Sequence, residues 1–126
     1  LLIMRERARI AGGRLRIDYL VGGAGKDKFV FDTKLGAQNV DHIVDFARGD
    51  RIALDNAIFA KLGAAGGLKA AYFEVGKADD KDDFIHYDKA TGALFYDADG
   101  NGAGAGIKFA VIGTKLALTA ADFLVI

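Results

Sequence analysis

Apolar and polar residues alternate in short blocks along most of this chain, and the blocks are too brief for long helices. Phe29 and Phe31 fall on one face of an extended segment, with Lys28 and Val30 on the other. That period of two marks a strand with one face buried. Residues 40–46 and 50–54 read as two further short strands, joined by the turn Ala47-Arg48-Gly49. Asp55 or Asn56 can cap a short helix over 57–62, with Ile58, Phe59 and Leu62 on its buried stripe and Gly63 ending it. The glycine-rich stretch 63–67 is too flexible for the interior of an element. Beyond it, strands are expected at 71–75, 83–88, 93–97, 106–112 and 123–126, forming an antiparallel, sandwich-like meander. Its loop 88–92 is a short hairpin connection ending in Gly92, where a positive φ is often required. The pattern predicts a mostly β domain with one short helix, and it leaves the order of strand pairing open.

Composition narrows the chemistry. A length of 126 residues suits one domain, and 52% apolar residues can supply a core. Lysine plus arginine equals aspartate plus glutamate, 17 against 17, so no basic field points to nucleic acid. The charge is uneven locally: residues 1–16 carry five arginines against Glu6 alone, and residues 79–83 read Asp-Asp-Lys-Asp-Asp. Both runs read as solvated surface. Without cysteine there is neither a disulfide nor a thiolate zinc site, and without serine or cysteine the usual nucleophiles are missing. His42 and His86 are the only neutral-pH bases, and both fall in strand-like segments. Carboxylate pairs such as Asp79 and Asp83 sit in a polar loop with no apolar pocket to raise a pKa. No enzyme is expected. No apolar run has the length of a membrane span, and the first residues lack the pattern of a cleaved export leader. Any export address is expected elsewhere in the chain.

The strongest motif lies at residues 22–30, Gly-Gly-Ala-Gly-Lys-Asp-Lys-Phe-Val, which fits the nonapeptide G-G-x-G-x-D-x-U-x at every fixed position. Gly22, Gly23 and Gly25 let the backbone turn tightly and aim carbonyl oxygens inward, while Asp27 adds a charged oxygen. A hard cation such as Ca²⁺ takes about six to eight oxygens at roughly 2.3–2.6 Å, so this turn offers half a site. Nine residues upstream, Gly13, Asp18 and Leu20 keep the first, sixth and eighth positions, but Arg14 and Arg16 replace glycines. The alternative is a glycine-rich turn without metal. A phosphate loop is excluded, because no helix and no Gly-Lys-Ser/Thr ending follow.

A second oxygen cluster lies at Asp97, Asp99 and Asn101, with Gly102 in the sixth position. It copies the first half of an EF-hand loop. The twelfth position is Lys108, where a bidentate Glu is needed, so it is not an EF-hand. It is either a weak calcium loop completed by carbonyls or water, or a plain polar turn, and the plain turn is preferred.

Further runs extend these signals: Asn39-Val40-Asp41-His42-Ile43-Val44-Asp45-Phe46, Gly49-Asp50-Arg51-Ile52-Ala53-Leu54-Asp55, Tyr87-Asp88 and Ala90-Thr91-Gly92-Ala93-Leu94-Phe95-Tyr96-Asp97-Ala98-Asp99-Gly100. The last is Leu118-Thr119-Ala120-Ala121-Asp122-Phe123-Leu124-Val125-Ile126. Together with the nonapeptide, they resemble over residues 18–126 the C-terminal region of repeats-in-toxin (RTX), or hemolysin-type calcium-binding, proteins. The resemblance implies the end of a parallel β-roll followed by a β cap. Its divisions are an atypical segment 1–17, the last repeat and first strand at 18–32, and the cap with its tail at 33–126. It further implies Ca²⁺, upstream RTX repeats as partner, and secretion to the extracellular space by a type I machinery of ABC transporter, adaptor and outer-membrane channel. The ending Asp122, Phe123, Leu124, Val125 and Ile126 resembles the acidic-plus-apolar export signal of one branch of these substrates; it also reads as a final edge strand. The competing expectation is an adhesin-like β-domain that binds a protein or surface ligand through an exposed edge.

Overall fold

The computed structural model describes residues 26–32, 34–36, 40–100, 102, 104 and 106–126 with their side chains, together with the strand course of 2–4, 10–11, 14–15 and 19–20. The strands are β1 (Leu2–Met4), β2 (Ile10–Ala11), β3 (Arg14–Leu15), β4 (Tyr19–Leu20), β5 (Lys28–Phe31), β6 (Asp41–Ile43) and β7 (Arg51–Leu54). They continue with β8 (Gly66–Gly67), β9 (Phe73–Val75), β10 (Ile85–Asp88), β11 (Ala93–Tyr96), β12 (Ile107–Val111) and β13 (Phe123–Val125). The fold is mostly β with mixed sheets, and among the described residues its only helical pieces are 3-10 turns.

Two sheets carry the structure. The first runs β1-β5-β7-β13-β8, the second β4-β6-β12-β11-β10-β9, and β2 with β3 forms a separate hairpin. Consecutive strands from β4 to β7 alternate between the two sheets, and each pairs in parallel with its counterpart one coil later. Tyr19 faces His42 and Lys28 faces Arg51. The next coil is interrupted by residues 55–106, after which β12 joins β6 in parallel and β13 joins β7 in parallel. Residues 40–46 and 50–54, read as strands joined by one turn, therefore lie in different sheets.

Two expectations are corrected. The helix over 57–62 is a turn followed by the 3-10 segment Ala60–Leu62. Asp55 does initiate it, because its carboxylate accepts from the Ala57 N–H at 2.8 Å and its carbonyl accepts from Phe59 at 2.8 Å. An α-helix would then send the Lys61 N–H to the carbonyl of residue 57. That N–H instead donates to the Tyr96 hydroxyl at 3.1 Å, and the coil tightens. Pairing also differs from a plain meander. Antiparallel neighbours join β10, β11 and β12, whereas β9 pairs with β10 in parallel and β13 leaves for the other sheet.

The hairpin 88–92 forms as read. Gly92 has φ +80°, and a Cβ there would lie 2.8 Å from the Gly113 backbone, so both conformation and space require glycine. Tyr87 reinforces this end: its hydroxyl donates to the Gly113 carbonyl and accepts from the Leu116 N–H at 3.1 Å.

The sheets meet through aromatic rings. Phe59 packs edge-on against Tyr96 at 5.2 Å and Phe109 at 5.1 Å, and Phe31 meets Phe109 at 5.4 Å. Phe31, Phe59 and Phe109 have no exposed surface. Val30 is buried although its alternation placed it outward; β5 is an interior strand, and the in-register Ala53 flanks it. Replacing Phe59 by Ala removes a fully buried ring that packs on Tyr96 and Phe109, and should lower the free energy of unfolding by about 3–5 kcal/mol. The exposed control Val44→Ala should change it by under about 0.5 kcal/mol in the same urea titration.

Candidate metal centres

Asp27 stands at the entry to β5 and is 2% exposed. Gly22, Gly23 and Gly25 of its motif lie outside the described residues, as does Asn101 of the second cluster. One coil later Asp50 stands at the entry to β7, also buried. Its Oδ1 accepts from the Asp27 N–H at 2.9 Å and its Oδ2 from the Ala47 N–H at 2.9 Å. Asp41, at the start of β6, is a third buried acid. A buried carboxylate is costly unless hydrogen bonds or charges compensate it. Asp27 and Asp50 stand together at the entries to neighbouring strands of the first sheet, while Asp41 begins a strand of the second.

The second cluster sits elsewhere, where β11 leaves the second sheet. The Asp97 N–H donates to the Phe84 carbonyl at 2.8 Å, tying the loop to the start of β10. Asp97 is buried; its Oδ1 lies 3.4 Å from the Asp99 N–H, and Asp99 Oδ2 accepts from the Gly104 N–H at 2.8 Å. Burial, and then the hydrogen bond with Asp99, push the Asp97 carboxyl up to about 6. The same bond, with the Gly104 N–H, holds Asp99 below the usual carboxylate range. Below about pH 6 the pair shares a proton; above it, two adjacent negative charges favour a cation.

Sequence reading missed that this loop touches the acidic run 79–83. Gly100 has φ +59°, and a Cβ there would collide with the Lys81 carbonyl, so the two loops are clamped together. Asp83 is not solvated: it is 2% exposed, and its Oδ2 accepts from the Asp79 N–H at 2.9 Å and the Asp80 N–H at 2.8 Å. Carboxylate oxygens of Glu74, Asp79 and Asp83 lie within 4.8 Å of one another, as do those of Asp80, Asp82 and Asp83. Asp79 is raised, first by its hydrogen bond with Asp83 and then by the charge of Glu74. The signal available in the sequence was the Asp-Asp-Lys-Asp-Asp run itself, but nothing in it distinguishes the buried acid from its exposed neighbours.

His86 stacks on Phe95 with ring centres 5.0 Å apart and planes 11° apart. Burial lowers its pKa, and its Nε2 has no hydrogen-bond partner among the described residues. Asp122 closes a capping box with Thr119, and Phe123, Leu124 and Val125 form β13, with Ile126 bonded through its N–H to the Leu54 carbonyl at 2.9 Å. The tail is thus a strand between β7 and β8, not an edge. No family model matches the chain, and neither a curated protein nor a solved structure matches it.

The raised Asp97 sets a pH dependence. A carboxyl whose folded pKa exceeds its unfolded value binds more protons when folded, so its contribution to stability is lost as pH rises from about 4 to about 6. His86 acts in the opposite direction over the overlapping range below pH 6.5, so the comparison must be with a variant. Asp97→Asn should gain on the wild type between pH 4 and pH 7, by on the order of 1–3 kcal/mol in urea titrations without added metal. A constant difference would contradict the assignment.

Proposed function

We propose that this chain is the capping and export module of a secreted RTX-type protein, without catalysis of its own. One observation carries the reading. Successive strands wind between two sheets in parallel, and the acid of the glycine turn, Asp27, recurs as Asp50 at the same place one coil later. That winding supports the end of a parallel β-roll, which a nonapeptide of this type builds around calcium. The mixed second sheet and the inserted segment 55–106 then serve as the cap that closes the roll's apolar interior.

In this reading Ca²⁺ is held at the Asp27 turn, and the loop of Asp97 and Asp99 offers a weaker oxygen set. The tail Asp122–Ile126 is read by the type I export machinery while the chain is extended. It cannot be read as an extended peptide once Phe123 and Val125 are buried in the first sheet, so signal and strand are successive uses of the same residues.

Two measurements test the proposal. Calcium at about 10 mM should raise the melting temperature relative to a chelator, because a ligand confined to the folded state stabilises it. An unchanged melting temperature counts against calcium binding by this chain. A passenger fused to the whole chain should leave cells carrying a type I exporter, and removing 122–126 should abolish export. Unimpaired export of the shortened fusion would overturn the assignment of the tail.

A further inference from the structure

We infer that the outer face of the second sheet binds a second copy of this chain, face to face, around a two-fold axis running along β11. This surface plays no part in the capping and export reading above, and the inference stands without it.

The pairing register lines up four residues across neighbouring strands. Glu74 of β9 is opposite His86 of β10, His86 is opposite Phe95 of β11, and Phe95 is opposite Lys108 of β12. Residues opposite one another in a ladder project to the same face of the sheet. Alternation says which face this is. Ile85 and Tyr87 beside His86, and Leu94 and Tyr96 beside Phe95, are buried in the core, so the row of four points away from it. Glu74, His86 and Phe95 keep part of their surface, and Lys108 is exposed. The His86 and Phe95 rings stack with centres 5.0 Å apart, close to the roughly 4.8 Å between neighbouring strands, so they stand side by side.

The row is aromatic in the middle and oppositely charged at its ends. Its acidic side is reinforced, because the Glu74 carboxylate lies within 4.8 Å of oxygens of Asp79 and Asp83. Asp88, two positions after His86, adds a further acid on the same face. Glu74 and Lys108 are three strand spacings apart, about 14 Å, too far to neutralise one another within one chain. A wholly basic partner would be repelled by Lys108, and a wholly acidic one by Glu74 and Asp88. A second copy meets neither difficulty. Turned over around an axis along β11, it brings its Lys108 above β10, beside Glu74 and Asp88, and receives the first copy's Lys108 in the same way. Phe95 then lies near the axis and meets its own equivalent. Turning the copy over around the in-plane axis across the strands would set acid on acid, so the charges select one orientation. Packed sheets lie about 10 Å apart, a gap that facing lysine and carboxylate side chains can span. The contact is isologous, as in most dimers, and the zero formal net charge removes long-range repulsion between copies. The patch is small, so the association is weak.

The test is sedimentation velocity on the whole chain in chelator, from about 10 µM to about 1 mM. The wild type should pass from monomer to dimer within that range. A monomer throughout would overturn the inference and leave the face to solvent or to another partner. Lys108→Glu and Glu74→Lys should each weaken dimerisation about tenfold or more, because each sets like charges opposite one another twice. An equimolar mixture of the two variants should regain it, since one chain then presents two acids where the other presents two lysines. That recovery separates a lost contact from a lost fold. Single variants that dimerise like the wild type, or a mixture that stays monomeric, would also overturn it. In the wild type, concentration-dependent amide shifts in NMR should centre on His86 and Phe95; shifts centred on the far edge at β8 would contradict the assigned face.

Discussion

Two sheets of short strands become one body through the ring of Phe109, which meets Phe31 of the first sheet on one side and Phe59, delivered by a turn rather than a strand, on another. Strands of two to five residues have little hold on one another by hydrogen bonding alone, and small sheets need a packed face to persist. The aromatic contact supplies that face. Beside it Phe59 also packs on Tyr96, whose hydroxyl accepts the Lys61 N–H. The acidic loops, by contrast, lie at the ends of β10 and β11, where the core no longer determines side-chain positions. They are held by backbone N–H groups and by the clamp at Gly100.

The strands were legible because a period of two in Phe29-Val30-Phe31 or Ile107–Val111 needs no tertiary knowledge. The Gly92 turn was legible for a similar reason, since its requirement is local. The parallel coil was harder. Its trace is the likeness of Asp27-Lys28-Phe29-Val30-Phe31 to Asp50-Arg51-Ile52-Ala53-Leu54, an acid, a base and three apolar residues, with the acids 23 positions apart. A single faint recurrence at that distance is outweighed by the adjacent turn 47–49, which suggests a hairpin. Of the two caps offered, Asp55 does accept the Ala57 N–H, yet it leads into a turn, and the Lys61 N–H goes to a hydroxyl 35 residues away rather than into a helix. At the sites, the motif singled out Asp27 as a charged oxygen, while the burial of Asp50 and Asp83 left no local trace in the sequence. Both are held by N–H groups of turns whose geometry is set by pairing.

The chain balances its charges overall and, among the described residues, still buries five aspartates. Peptide dipoles meet two of them. Asp50 and Asp83 each accept two backbone N–H bonds, and Asp99, though exposed, accepts from Gly104. Such bonds are specific in direction and carry no long side chain to order. Asp97 departs from this pattern: its partner is another carboxyl, and its affinity for a proton is the result.

The position of β13 bears on how the molecule comes to be. It fills the slot between β7 and β8, and its first contact with β7, from Arg51 to the Ala121 carbonyl, closes a loop of 70 residues. Closing so long a loop carries a large entropic toll before any contact rewards it. Until the strand arrives, β7 exposes a row of unpaired N–H and carbonyl groups beside the apolar Ile52 and Leu54, an invitation to intermolecular pairing. The first sheet is therefore slow to complete by its topology, and during that delay its vacant slot is the place where two chains can entangle.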